Sequence, residues 1–363
     1  MYVLIAIVLL GVLIMVHEAG HFFAARLMGI DVMEFSIGFG PKLLGWKSRR
    51  HETAFSLRAI PLGGYCAFYG EDDAKGTHGK DPRAYNNQNV WKRMFCVAMG
   101  PLMNFVLAFA VLFGFYCLVG VYSYDPVLVQ VDPAGPAYAA GLRDGDLVCV
   151  VNGRDVRDGT VQTLTDMIAS YRPGDAPLHV EALRGDEWVA ADVTPVWVQE
   201  EGRAYMQVTI QSTPRMVTDA AGGERVATRR LTAGESLSAS WSVCVNASGM
   251  ILGALRELVT TGEGLDQTSG PVGVVTFVSR EVREGGALAF INLMVVLSIN
   301  LGVMNLLPIP GLDGSRLVFH LVEAVRRKPV PPEKEAMVHL VGMGFLFAVM
   351  IFFTFKDVMR LFQ

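Results

Sequence analysis

Long apolar runs separated by polar stretches organise this chain. Tyr2 to about Met28 is apolar apart from His17, Glu18, His21 and Arg26, while Met94–Tyr124 and Ala287–Leu312 contain no charged residue. Ala336–Phe355 is uncharged except for His339. Each run reaches the roughly 20 residues needed to cross the hydrocarbon layer, so the pattern predicts four transmembrane helices. A fifth stretch, 234–261, carries Leu237, Trp241, Cys244, Val245, Ile251, Leu252, Leu255 and Leu258 on one stripe, with Ser238, Ser242, Asn246, Gly249, Gly253 and Arg256 turned away. That two-faced pattern predicts an amphipathic helix lying on the membrane surface.

The region between the second and third runs changes character. Residues 126–196 break into short strand-like pieces at turns such as Asp132-Pro133, Arg143-Asp144-Gly145-Asp146 and Asn152-Gly153. Leu147–Val151 is an apolar core strand, Val161–Tyr171 has helical spacing with Leu164, Met167 and Ile168 on one face, and Tyr205–Ile210 alternates as a strand.

Charge orients these segments. Lys42, Lys47, Arg49, Arg50, Arg58, Lys75, Lys80, Arg83, Lys92 and Arg93 lie between the first two runs, and Arg316, Arg326, Arg327, Lys328 and Lys334 between the last two. Basic loops stay in the cytoplasm, which places the N-terminus and the region Asp125–Gly286 outside. The whole composition agrees with a mixed membrane and soluble chain: 363 residues, 52% hydrophobic and 18% charged. A net charge of -4 argues against nucleic-acid binding. Five scattered cysteines at no C-x-x-C spacing suggest neither a thiolate metal site nor a disulfide framework. The first run has no basic n-region before it and no A-x-A site, so a removable signal peptide is a poor fit.

Candidate chemistry lies inside the first run. His17-Glu18-Ala19-Gly20-His21 fits H-E-x-x-H. On a helix, residues i and i+4 share a face, so both imidazoles can reach one zinc ion, with Glu18 beside them as the base for the hydrolytic water. Ionisable groups at the middle of a span cost about 2.5–3.5 kcal/mol each on the insertion scale, and a divalent cation offsets that. The alternative is a polar seam that hydrogen-bonds neighbouring helices.

Catalytic zinc takes a third protein ligand and keeps an open position. The third run ends in Asn305-Leu306-Leu307-Pro308-Ile309-Pro310-Gly311-Leu312-Asp313-Gly314. Pro308 and Pro310 break the helix, and broken backbone at membrane depth is tolerated where it is buried in protein or lines a wet cavity. Asp313 is then either the third ligand or a cap on a helix over Ser315–Val325.

With these pieces in order, the chain resembles the site-2 protease family of intramembrane zinc metalloproteases, in the bacterial regulator-of-sigma-E protease branch. The matching segments are HEAGHFFAAR at 17–26, FSIGFGP at 35–41, IPLGGY at 60–65, GPLMNF at 100–105, SGPVG at 269–273 and NLLPIPGLDG at 305–314. The resemblance implies one Zn2+ per chain held by His17, His21 and Asp313, with Glu18 as the catalytic base and Asn305 as a further active-site residue. It implies a multi-pass α-helical membrane protein with an inserted extracytoplasmic PDZ (α+β) domain and a membrane-reentrant β-element. The expected order is transmembrane helix 1 at 1–28, a cytoplasmic-side loop with the β-element at 29–93, helix 2 at 94–124 and a single PDZ module at 125–200. A strand and amphipathic-helix region follows at 201–286, then helix 3 with its broken segment at 287–314, a cytoplasmic loop at 315–335 and helix 4 at 336–356.

Phe55, Leu57 and Ala59 alternate with Ser56, Arg58 and Ile60 as a strand, and Gly38, Gly40, Gly63 and Gly64 leave backbone accessible. An open strand edge holds an extended peptide by β-addition; the resemblance implies that role for a membrane-reentrant β-element here, with Phe55, Ser56, Leu57, Arg58 and the four glycines as substrate-binding residues, and the alternative is an ordinary cytoplasmic hairpin. The resemblance implies, as substrates, single-span proteins in the bacterial cell membrane, such as anti-sigma factors or remnant signal peptides, pre-trimmed by another protease. The PDZ module then filters access or binds a peptide end. Two other classes remain open at this point. A PDZ scaffold has no use for Glu18, and a metal transporter would show inverted repeats and two discontinuous spans, where the chain shows one.

Overall fold

In the computed structural model, residues 1–49, 52–71, 81–157, 161–218, 224–262 and 269–361 are described; Arg50, Lys75 and Lys80 of the first basic loop lie outside them. The chain opens with α1 (Tyr2–Met28), β1 (Val32–Lys47), β2 (Ala54–Phe68) and α2 (Val90–Leu118). Next come β3 (Val121–Tyr122), β4 (Tyr124–Val131), the short α3 (Pro136–Ala139), β5 (Leu147–Val151), β6 (Arg154–Asp155), α4 (Val161–Ser170), β7 (Leu178–Arg184) and β8 (Glu187–Val193). Six strands follow: β9 (Val196–Val198), β10 (Arg203–Tyr205), β11 (Val208–Pro214), β12 (Met216–Thr218), β13 (Glu224–Val226) and β14 (Thr228–Arg229). The last elements are α5 (Ala233–Thr260), α6 (Pro271–Leu306), α7 (Asp313–Arg326) and α8 (Pro332–Leu361). Two compact units result, one of Met1–Phe113 with Leu237–Gln363, the other of Gly114–Ser236.

The Gly114–Ser236 unit is built on an antiparallel sheet in the order β11-β4-β5-β7-β8, with β6 paired to β5. Leu128, Leu142, Val148, Val151, Leu164 and Val180 fill its core. The apolar face read for α4 is the face it buries, through Leu164 and Ile168, with Met167 packed alongside. The Arg143–Asp146 turn is fastened from within. Asp146 is fully buried, and its two carboxylate oxygens accept from Arg184 Nε and Nη2 at 2.7 and 2.8 Å. Because β11 pairs with β4, the sheet needs residues beyond 200, and the unit runs past the boundary expected for a module at 125–200.

Among the described residues, five helices are long and apolar enough to cross a membrane: Tyr2–Met28, Val90–Leu118, Ala233–Thr260, Pro271–Leu306 and Glu333–Met359. The first matches the first apolar run. The second starts four residues before Met94. The fourth is α6, kinked at Gly286 (φ 61, ψ -143), where the third apolar run was expected to begin. Ala233–Thr260 is the least apolar of the five, in keeping with its mixed faces. The expected cytoplasmic loop at 315–335 is largely the helix α7, which starts at Asp313, two residues earlier than Ser315.

Helices α1 and α2 meet through glycine. A Cβ at Gly20 would overlap the Met99 backbone, and one at Gly100 would overlap the His21 imidazole. The contact therefore depends on the absence of side chains there, and it brings α2 against the metal motif.

The β1–β2 hairpin is doubly folded. Residues 34–37 of β1 pair both with 64–67 and with 54–57, while 54–58 also pairs with 42–47. The result is four short ribbons in the order 64–68, 32–37, 54–58, 42–47. Its polarity is inverted relative to a soluble hairpin. Ser36, Thr53 and Ser56 are buried, while Phe39, Leu43, Leu44, Trp46, Leu57 and Ile60 are exposed. Inside, Glu34 Oε1 accepts from Ser56 Oγ at 2.7 Å and from Arg58 Nη2 at 2.8 Å. Arg58 also donates to Ser36 Oγ, the Gly40 carbonyl and Tyr65 Oη.

Candidate metal centre

His17 and His21 face the same way from α1, one turn apart, and both are buried at 7% exposure. Asp313 reaches them from the other side as the first residue of α7. Pro308 and Pro310 stop α6 at Leu306, and the unwound stretch that follows turns the carboxylate inward. Asp313 Oδ2 lies 3.0 Å from His17 Nε2 and 3.3 Å from His21 Nε2, and the two Nε2 atoms are 3.3 Å apart. Among the described residues this is the one His/Cys/Asp/Glu group close enough to hold a metal ion.

The donor set fits zinc. Ligand bonds of about 2.0–2.1 Å at tetrahedral angles place neighbouring ligand atoms roughly 3.3 Å apart, close to the spacing seen. The tautomers fit too. His21 Nδ1 donates to the Cys96 carbonyl at 2.9 Å, which leaves Nε2 as a lone-pair donor. Asp313 Oδ2 is buried and accepts no hydrogen bond. Lone pairs from three side chains thus converge on one point, an arrangement that a divalent cation stabilises.

His17 is steadied from α2. The Asn104 amide lies 3.2 Å from His17 Nδ1, Asn104 is fully buried, and its backbone carbonyl accepts from Ser298 Oγ at 2.8 Å. A ring that offers Nε2 to a metal carries its proton on Nδ1, so the amide oxygen is the partner required there; amide orientation follows from such networks. With the amide turned that way, Oδ1, otherwise buried without a partner, is satisfied. Asn104→Ala should weaken zinc affinity about 10–100-fold, read by competition with a chelator of known affinity. Unchanged affinity would show that α2 does not orient the ring.

A cavity of about 410 Å³ adjoins the three converging side chains, lined also by Glu18, Asn305, Arg316, His339 and the β2 residues Gly64–Phe68. Glu18 lies against Gly64, where a Cβ would come within 3.1 Å of Glu18 Cγ. Asn305 reaches the cavity, but its Nδ2 donates to the Leu301 carbonyl at 3.0 Å. Arg316 pairs with Glu71 at the cavity wall. Tyr85 Oη and His320 Nε2 share a hydrogen bond of 2.8 Å nearby. Burial, with the nearby Arg93 and Arg316 cations, pushes the His320 imidazole down to about 3, so it stays neutral.

The expected substrate-binding residues divide. Gly64 lines the cavity, whereas Phe55, Ser56, Leu57, Arg58, Gly38, Gly40 and Gly63 do not. Phe55–Arg58 is also an inner ribbon, paired on both sides, so its backbone offers no open edge. Among the described residues, the free edge beside His17, His21 and Asp313 is Gly64–Phe68. The order of the ribbons is set by a double fold-back that alternation within one strand does not reveal. Asn104 and His339 went unassigned in the sequence reading; the available signal was a lone polar residue in an otherwise apolar helix.

Residues 5–349 match the profile of peptidase family M50. The chain belongs to that family. This M50 peptidase is 30% identical to the regulator of sigma-W protease RasP of Bacillus subtilis, covering 98% of each chain. It is 29% identical to the zinc metalloprotease RasP of Bacillus licheniformis, again over 98% of each. The PDZ domain of an SdrC-like protein from Listeria monocytogenes aligns with 25% of the chain and 93% of that domain, at 25% identity and a TM-score of 0.22. The M50 peptidase is accordingly a zinc metalloprotease of the site-2 type, with several helices able to span a membrane.

Proposed function

We propose that the chain cleaves single-span membrane proteins within or near their transmembrane segment, using His17, His21 and Asp313 as zinc ligands and Glu18 as the base. The observation that carries this is the placement of the three ligands: two buried histidines on a helix apolar enough to span the bilayer, met by a carboxylate on proline-broken backbone. Zinc, when bound, polarises the scissile carbonyl and lowers the pKa of water. Glu18 takes the proton from the attacking water and returns it to the leaving amine. Asn305, at the cavity wall, orients the substrate backbone.

A helical substrate hides its peptide bonds, so the scissile segment must be drawn out straight. The Gly64–Phe68 edge provides a template by β-addition. The inverted polarity of the hairpin supports its insertion into lipid, because its apolar side chains point outward and its polar groups satisfy one another. Four spans formed by α1, α2, the latter part of α6 and α8, with α5 on the membrane surface, keep the basic loops cytoplasmic and all three ligands in one leaflet. The unit Gly114–Ser236, whose sheet runs on through β11, is then extracytoplasmic and carries the PDZ module. RasP of Bacillus subtilis is named regulator of sigma-W protease. By that likeness the substrates are anti-sigma factors or remnant signal peptides in the bacterial cell membrane, pre-trimmed by another protease.

The test is cleavage in reconstituted vesicles of a single-span substrate labelled at both ends, with products mapped by mass spectrometry. The expected result is a zinc-dependent cut within or beside the span. Cuts confined to a soluble tail would overturn the intramembrane reading.

A further inference from the structure

We propose that His339 is a catalytic hydrogen-bond donor to the carbonyl oxygen of the bound substrate, a role that rests on the proteolytic reading above. His339 is the lone ionisable residue of Ala336–Phe355, and it lines the metal cavity together with Glu18, Asn305 and the three ligands. Its Nδ1 accepts the backbone N–H of Gly311 at 3.3 Å. A ring nitrogen that accepts carries no proton, so the neutral imidazole has its proton on Nε2. That Nε2 is buried and meets no acceptor. The Glu335 carboxylate, one turn earlier on α8, is 3.8 Å away, beyond hydrogen-bond reach. An N–H hidden from water without an acceptor requires an explanation, and in a catalytic cavity the missing acceptor is one that arrives with the ligand.

The ring is held in place by the segment that delivers Asp313. Gly311 and Asp313 are two residues apart. Gly311 adopts φ +99 and sits so close to α8 that a Cβ would lie 3.2 Å from Leu346 Cδ1 and 3.3 Å from Met343 Cγ. A Cβ at Gly342 would overlap Pro310, so the broken segment and α8 are in backbone contact. Phe319 of α7 packs against the imidazole with ring centroids 5.8 Å apart. One stretch of chain therefore fixes a metal ligand and the His339 donor in mutual register, which is the preorganisation that charge stabilisation in a transition state needs. Of the other donors lining the cavity, Asn305 Nδ2 already donates to the Leu301 carbonyl and Arg316 Nη1 to Glu71.

The experiment compares the full chain with His339→Phe, His339→Asn, His339→Gln and Glu18→Gln in vesicles holding a single-span substrate, measuring kcat, KM and zinc per chain. Gln carries an amide N–H out to the position of Nε2. Asn keeps an acceptor for Gly311 but stops short of that position. His339→Phe and His339→Asn should lose about 10²-fold in kcat with parental zinc content and little change in KM, the effect of removing one such donor. His339→Gln should stay within about tenfold of the parent, a rescue that a purely structural role would not produce. Parental kcat in His339→Phe, or a loss in His339→Gln as deep as in His339→Asn, would overturn the assignment. Loss of zinc in His339→Asn would also overturn it, by showing that the ring only holds the loop. Glu18→Gln separates the two layers. If it is inactive while His339→Phe is unaffected, His339 alone is dismissed; if it cleaves normally, the hydrolytic reading of the site falls first.

Discussion

Glu18→Gln should abolish cleavage while leaving close to one zinc per chain. The substitution keeps the length and shape of the side chain and removes only its ability to accept a proton. Glu18 is not among the three side chains that converge, so metal content should not follow activity. Its place is set by backbone: Gly64 admits the Glu18 side chain against the hairpin edge, and α1 carries it between His17 and His21. General-base catalysis is worth about 10²–10⁴-fold. A site that depends on one carboxylate for both proton transfers belongs at the upper end, so a loss of the order of 10³–10⁴-fold in kcat is expected. Single-turnover assays with metal quantified on the same sample check it. A variant that cleaves at the parental rate removes Glu18 as the base, and one that loses its zinc makes the residue structural.

That prediction could be framed from the sequence because the two histidines and the glutamate lie within five consecutive positions, and helical periodicity alone puts the imidazoles on one face. The span carrying them was legible for the same reason, an apolar run with definite ends. Asp313 was different. Local physics left it divided between ligand and helix cap, since nothing in the spacing says that residues about 290 positions apart in the chain meet. The resemblance to a family, not periodicity, singled it out. The hairpin shows the opposite failure. Alternation in Phe55–Ile60 correctly marked a strand, but which ribbon lies at the edge depends on β1 pairing twice with β2, a long-range fact with no local trace. Asn104 and His339 are isolated polar groups in apolar helices, and only contact with His17 in one case and Gly311 in the other gives them meaning.

Asp313→Ala should lose most of the bound zinc, and activity with it. The variant leaves two imidazoles and no charged ligand. Replacing an outer-shell partner already costs about 10–100-fold in metal affinity, so removing a direct carboxylate should exceed the upper end of that range, about 100-fold. After dialysis against a weak chelator, zinc should fall well below one per chain. The fold around the site should survive, because the broken segment is held by features other than the carboxylate. Pro310 packs on Gly342, Gly311 on Met343 and Leu346, and Ser315 Oγ donates to the Leu312 carbonyl at 2.8 Å. Thermal unfolding measured in excess chelator should therefore nearly coincide for parent and variant, with a gap opening when zinc is supplied, because a ligand that binds only the native state stabilises it in proportion to its affinity. If Asp313→Ala retains zinc and shows the parental shift on adding metal, the carboxylate is not a ligand, and its 3.0 Å approach to His17 is an ordinary ion pair. The chelator comparison separates that outcome from misfolding, because a misfolded variant would already differ from the parent without metal.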